Sequence, residues 1–169
     1  MAENYGLPYM GSKSRIAHWV IDNLPSGRVL IDAFAGGCAI THRALLSKKW
    51  QTIIANDINV KYPQLFIDAI HGRYRDERRW ISREDFERLK SQDAFVACCW
   101  SFGNNLQGYM YSQAIEPYKR RCIMRSCLMT SSRCKSSCQR LREMCTKPFI
   151  GYEIHTTDAS RLKTSSSKR

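Results

Sequence analysis

Two unbroken apolar runs separated by a glycine turn organise the first third of the chain. Residues 28–34 contain Val29-Leu30-Ile31, and residues 51–56 contain Thr52-Ile53-Ile54-Ala55. Runs of this length without polar alternation predict strands buried on both faces, as in a parallel sheet. Residues 39–47 read as the helix between them. Ahead of them, residues 12–23 place Ile16, Trp19, Val20 and Leu24 at helical spacing. Ser12 or Ser14 is positioned to cap this helix, and Pro25-Ser26-Gly27 to end it. Residues 61–71 give a further helix, with Pro63 tolerated in its first turn.

After residue 71 the pattern changes. Residues 72–79 form a charged connector. Ser82-Arg83-Glu84-Asp85-Phe86 opens a short capped helix. Residues 93–100 are apolar, and residues 101–108 are rich in turn formers. Residues 117–144 read as a long basic helix, and residues 149–154 resume strand character. Residues 164–169 are polar and serine-rich, which predicts a disordered tail. The expected organisation is a parallel α/β core over residues 1–71, a helical insertion over 72–147, a resumed core strand within 148–163, and the tail.

The charge changes this picture, because it is concentrated in the insertion. The 169 residues carry a net charge of +12. Residues 72–147 hold sixteen basic and eight acidic side chains, whereas residues 1–71 hold seven and five. A localised positive field points to a polyanionic partner, nucleic acid first. No apolar run approaches a membrane span. The start lacks the basic-then-apolar order of a signal peptide, so the cytoplasm is the expected location.

The eight cysteines alter it less. A cytoplasmic chain argues against disulfides, and no Cys-x-x-Cys pair suggests zinc. Cys127, Cys134, Cys138 and Cys145 fall within roughly 20° of one line at about 100° per residue. Leu141 and Ile123 lie beside it. This is the apolar stripe of a helix, with cysteine acting as a small hydrophobe, and no metal is expected.

The candidate chemistry lies at the strand ends. Gly36 and Gly37 follow the first strand directly and let the backbone turn and approach a ligand. Asp32, at that strand's carboxyl end, can attract an ammonium group. Asp57, at the end of the next strand, can accept hydrogen bonds from both hydroxyls of a ribose. A pyrophosphate site wants Gly-x-Gly-x-x-Gly at a helix N-terminus, and Ala35-Gly36-Gly37-Cys38-Ala39-Ile40 lacks that spacing. A cofactor with a ribose and an amino-acid end, but no phosphates, fits better. S-adenosylmethionine is such a cofactor.

These segments resemble those of the Dam-like, D12-class DNA N6-adenine methyltransferases, over residues 8–162. Pro8-Tyr9-Met10-Gly11-Ser12-Lys13 is similar to the family's Tyr/Trp-x-Gly-Gly-Lys motif, with Ser12 in place of a glycine. Asp32-Ala33-Phe34-Ala35-Gly36-Gly37-Cys38 is similar to Glu/Asp-Pro-Phe-x-Gly-Gly-Gly. Asn56-Asp57-Ile58-Asn59 resembles the ribose-binding segment, and the region from Trp100 through Asn105 to Tyr118 the approach to a target-recognition insertion. The resemblance implies a Rossmann-like, S-adenosylmethionine-dependent methyltransferase core, incomplete here, with an inserted helical lobe. It implies that Tyr9, Gly11, Lys13, Asp32, Phe34, Gly36 and Asp57 line the cofactor pocket and that Asp158 contacts the cofactor adenine.

The implied partner is double-stranded DNA. In the insertion Lys119, Arg120, Arg121, Arg125 and Arg133 would contact phosphates, and Tyr109 or Tyr111 would wedge or stack. Such enzymes flip adenine into a pocket built around Asp-Pro-Pro-Tyr. The five prolines here are never adjacent, so that segment is not among the 169 residues. The expectation is a truncated family member that does not itself methylate DNA, with no catalytic residue to name. The other readings are a nucleic-acid-binding protein without cofactor chemistry, and a Rossmann-like enzyme using a nicotinamide cofactor.

Overall fold

The computed structural model describes residues 4–121 and 153–158. Three strands, β1 (Gly27–Asp32), β2 (Trp50–Asp57) and β3 (Glu153–Asp158), form one parallel sheet in the order β1-β2-β3. The described helices are α1 (Ala17–Asn23), α2 (Ala39–Ser47), α3 (Lys61–Ile70), α4 (Arg83–Leu89) and α5 (Ala94–Trp100). The fold is therefore α/β with a small parallel sheet. Among the described residues no helix is long and apolar enough to cross a membrane.

The register explains which side of the sheet is covered. Leu30 pairs with Ile53 and Asp32 with Ala55. Side chains alternate along a strand, so these four share a face. Ile53 and Ala55 are buried in one core with Leu45 of α2 and Phe66 of α3. The opposite face holds Val29, 46% exposed, and Ile31, 62% exposed. The expectation that β1 is buried on both faces is thus corrected. Its apolar run reports two sticky faces, and the described helices cover one of them.

Other boundaries also moved. The first helix starts at Ala17 rather than near Ser12, and it has no side-chain cap. Ser14 Oγ is engaged instead by the Tyr5 amide at 2.7 Å. The last strand is described over Glu153–Asp158 and continues past residue 154, and residues 149–152 lie outside the described set. Pairing with β2 selects this register and sets Asp158 opposite Asp57.

The short capped helix expected at Ser82 is present. Ser82 Oγ accepts from the Asp85 amide and caps α4, and Asp93 accepts from the Phe95 and Val96 amides and caps α5. Residues 116–121 are helical. The cysteine stripe from Cys127 to Cys145 lies outside the described residues.

Candidate functional site

The carboxyl ends of β1 and β2 converge on the glycine turn. The Ala35 amide donates to Asn56 O at 2.8 Å, and Asn56 Nδ2 donates to Ala33 O at 2.9 Å. The Gly36 amide donates to Asp57 Oδ2 at 2.8 Å, while Asp57 Oδ1 accepts from the Asn59 amide at 2.9 Å. Asp57 therefore pins the turn. Each of its oxygens keeps a second lone pair for a ligand.

Asp32 is built in from the other side. Its Oδ2 accepts from the Thr41 amide at 3.1 Å and from Thr41 Oγ1 at 2.6 Å. Cys38, at the start of α2, offers no side-chain cap and sits at φ 58°. Asp32 thus supplies from the strand what the helix start lacks, and its charge suits that end of the helix. Burial nevertheless raises its carboxyl above the ordinary range. The Thr41 hydrogen bonds oppose the rise, and the nearby Asp57 charge adds to it. Two carboxylates on one face of the sheet, one desolvated, form a place where a positive ligand group is favoured.

A strap of N-terminal residues closes over the turn. The Leu7 amide donates to Gly37 O at 2.7 Å, and the Gly6 amide donates to His42 Nδ1 at 2.9 Å. The approach is close enough to require glycine. A Cβ on Gly6 would lie 2.3 Å from Gly37 O, and one on Gly37 would lie 2.6 Å from Tyr9 Cβ. Tyr9 makes an edge contact with Tyr62 at 5.1 Å. Burial first, then the Asp57 charge, raises the Tyr9 hydroxyl, and burial raises Tyr62 to about 12. Both phenols are neutral donors at physiological pH.

Residues 9–165 match the D12 class N6 adenine-specific DNA methyltransferases. The chain belongs to this family. It is also similar to the Type II methyltransferase M2.HphI of Haemophilus parahaemolyticus, 41% identical over 56 residues. That match covers 32% of this chain and 16% of that protein, so the shared stretch spans about a sixth of the relative.

Within this D12-class chain the structure gathers some of the singled-out residues and separates others. Tyr9, Asp32, Gly36 and Asp57 meet around the turn, and Asp158 occupies the matching register position on β3. Phe34, two residues past the end of β1, is 92% exposed. Lys13 is at the surface, its Nζ donating to Gly11 O at 3.1 Å within the strap's own loop.

The residues suggested for DNA contact divide as well. Lys119, Arg120 and Arg121 are exposed on the helical segment. Arg120 and Arg121 line a cleft of about 760 Å³ with Arg83, Glu116 and Pro117. Arg125 and Arg133 lie outside the described residues. Tyr109 is a correction. It is 7% exposed, its hydroxyl donates to Ile81 O at 2.7 Å, and its ring lies against Phe86 and under the Arg83 guanidinium. Burial raises its hydroxyl strongly. Tyr109 is core and presents no face to DNA. Tyr111 stacks on Trp80, with ring centroids 5.8 Å apart.

Sequence reasoning missed Thr41, His42 and Asn104. Thr41 and His42 had a signal, since both sit in the first turns of the helix after the glycines. Asn104 had none, because its tie to the N-terminal strap is made by a residue distant in sequence, Met10. Its carbonyl accepts from the Met10 amide at 3.1 Å, and its Nδ2 donates to Cys98 O at 2.8 Å. It ties the strap to α5 and the loop that follows it.

Proposed function

We propose that this chain provides the cofactor-binding and DNA-facing parts of an adenine-N6 methylation system on a Rossmann-like core. The observation that supports this most is the pair of anchored carboxylates beside the glycine turn. Asp57 holds the Gly36 amide while Asp32 is anchored on the same sheet face by Thr41.

S-adenosylmethionine, when bound, supplies an electrophilic methyl group carried on a sulfonium. The donor set fits it. Asp32 and Asp57 offer negative charge to a ligand bearing a sulfonium and an ammonium, and carboxylate oxygens to ribose hydroxyls. Tyr9, Gly11, Lys13 and Phe34 would line the pocket beside Gly36, and Asp158 would meet the cofactor adenine. The strap from Gly6 to Tyr9 would exclude water above the turn, which strengthens every charge interaction beneath it. Lys119, Arg120 and Arg121 would position double-stranded DNA through its phosphates, joined by Arg125 and Arg133. The division into a core over 1–71 and 148–163 and a lobe over 72–147 is part of this reading.

Titration calorimetry with S-adenosylmethionine, NAD and a DNA duplex tests it. The expected result is heat from S-adenosylmethionine that Asp57→Ala reduces at least tenfold in affinity, together with duplex binding. Binding of NAD but not S-adenosylmethionine would overturn the cofactor assignment. DNA binding indifferent to Asp57→Ala, with no cofactor heat, would leave a nucleic-acid-binding protein.

A further inference from the structure

Two consecutive side chains at the start of α2 have different tasks. Thr41 holds Asp32, and His42 holds the N-terminal strap. The Gly6 amide donates to His42 Nδ1 at 2.9 Å, and both groups are buried. His42 is 6% exposed, and Tyr5 and Leu7 on either side of Gly6 are buried as well. The Tyr5 ring meets the imidazole edge-on with centroids 5.9 Å apart, and the Phe66 ring of α3 lies 5.6 Å away. Gly6 sits at φ +69°, where a Cβ would lie 2.6 Å from the Ala39 amide nitrogen. The strap therefore comes down on the glycine turn with no space for a side chain, and an imidazole nitrogen receives its buried amide.

A ring nitrogen that accepts from a backbone amide carries no proton of its own. The neutral ring therefore keeps its proton on Nε2. A proton on Nδ1 would set two donors face to face and leave the Gly6 amide buried without an acceptor, an expensive state. Histidine changes charge near neutral pH, so strap closure and pH meet at this one atom. Among the described residues, the ionisable groups around the ring come from four directions. The strap contributes Tyr5. On α2 itself Cys38 is one turn back, its carbonyl accepting from the His42 amide. Arg43, the next residue, is ion-paired at 3.5 Å with Asp22 of α1. From the sheet, Asp32 is reached through Thr41. The α3 contact is the apolar Phe66 ring. Burial pushes the Cys38 thiol well up and keeps it neutral. Asp32, raised by burial, also changes charge on the acid side of neutrality.

We propose that His42 is the positioning residue of the cofactor strap: its neutral imidazole holds Gly6 down on the glycine turn, and protonation releases the strap. This rests on the reading that S-adenosylmethionine binds beside that turn. The closed strap excludes a proton from Nδ1. Closure is therefore complete above the imidazole range and is lost as pH falls below it. Releasing the strap admits water over the turn and weakens the charge interactions beneath it.

Two measurements on the full chain test this, each at about pH 8 and about pH 5.5, on either side of the imidazole range. The first is hydrogen exchange of the strap amides, corrected for the intrinsic pH dependence. In the wild type they should be protected at the higher pH and exchange at least about tenfold faster at the lower, while β2 stays protected at both. The second is calorimetric titration with S-adenosylmethionine, whose affinity should fall about tenfold over the same interval. His42→Leu removes the acceptor and should lose strap protection and about tenfold in affinity already at the higher pH. His42→Gln offers the Gly6 amide a side-chain oxygen that does not titrate. It should rescue both and keep the strap protected at the lower pH, and any fall in affinity that it retains belongs to Asp32. A wild-type strap equally protected at both pH values overturns the proposal, and that arm needs no variant to fold. A leucine variant with an intact strap overturns it too, as does a glutamine variant whose strap opens with pH as the wild type's does. A wild type that shows the expected exchange but binds no S-adenosylmethionine at the higher pH overturns the cofactor reading and leaves the hold of His42 on the strap standing.

Discussion

Asp32 carries its charge at a cost, and that cost is measurable. Its folded carboxyl lies above its ordinary value because of burial and the Asp57 charge. The fold therefore favours the protonated form. Its contribution to stability is full below the unfolded carboxylate range and is lost as pH rises through the raised folded value. Asp32→Asn keeps an acceptor for Thr41 and removes the charge. Calorimetric melting should place it above wild type at neutral pH, with the gap closing as pH falls into the carboxylate range. Its affinity for S-adenosylmethionine should drop at least tenfold. A gap that does not change with pH would remove the charge from the explanation. Gly6 is a second residue-scale case. Gly6→Ala puts a methyl 2.3 Å from Gly37 O at φ +69°. It should cost more than about 2 kcal/mol in denaturant unfolding. Asp32, Asp57 and Gly36 were legible from the sequence because strand ends and glycine turns leave local marks. Thr41 and Gly6 were not, since their roles are set by what the folded chain brings against them.

At the scale of elements, caps and strand faces carry the testable content. Ser82→Ala removes the acceptor for the Asp85 amide, and equilibrium unfolding should show a loss of about 1 kcal/mol. The two faces of the sheet should respond unequally to the same chemical change. Ile53→Ala opens a cavity in the core and should cost about 2–5 kcal/mol. Ile31→Ala, on the exposed face, should cost less than about 1 kcal/mol. Equal losses would mean that the exposed face of β1 is covered in solution. The apolar runs located β1 and β2 within one or two residues because burial demands such runs. They could not tell one covered face from two. β3 runs on through Asp158, past the apolar stretch that suggested it, because its polar segment is selected by pairing with β2 rather than by hydrophobicity.

Across the whole molecule, charge and connectivity decide what the parts do together. Three exposed cations on residues 119–121 continue from a cleft in which Arg83 is already committed to Glu116, 3.7 Å away, and to the Tyr111 carbonyl. Arg120 and Arg121 remain available to phosphate. Each phosphate contact contributes about 0.9 to the log–log slope of affinity against salt. The double variant Arg120→Ala/Arg121→Ala should therefore lower that slope by about 2, measured by duplex binding over a salt series. An unchanged slope would take these side chains off the DNA. The Met10–Asn104 hydrogen bond joins the N-terminal strap to the loop after α5, which in the proposed function would bring the cofactor and DNA surfaces together.

The sequence by itself determined the order of elements, the glycine turn between two apolar strands, the acidic strand ends and the basic middle of the chain. Each is written within a few neighbouring residues, where periodicity, turn chemistry and charge act directly. Only the tertiary structure decided that Tyr109 faces the core and Phe102 the solvent. It also decided that Thr41 anchors Asp32, and that Asn104 fastens the N-terminal strap to the loop after α5. Those outcomes depend on which groups meet across long stretches of chain, and a side chain's own identity does not say which neighbour will bury it.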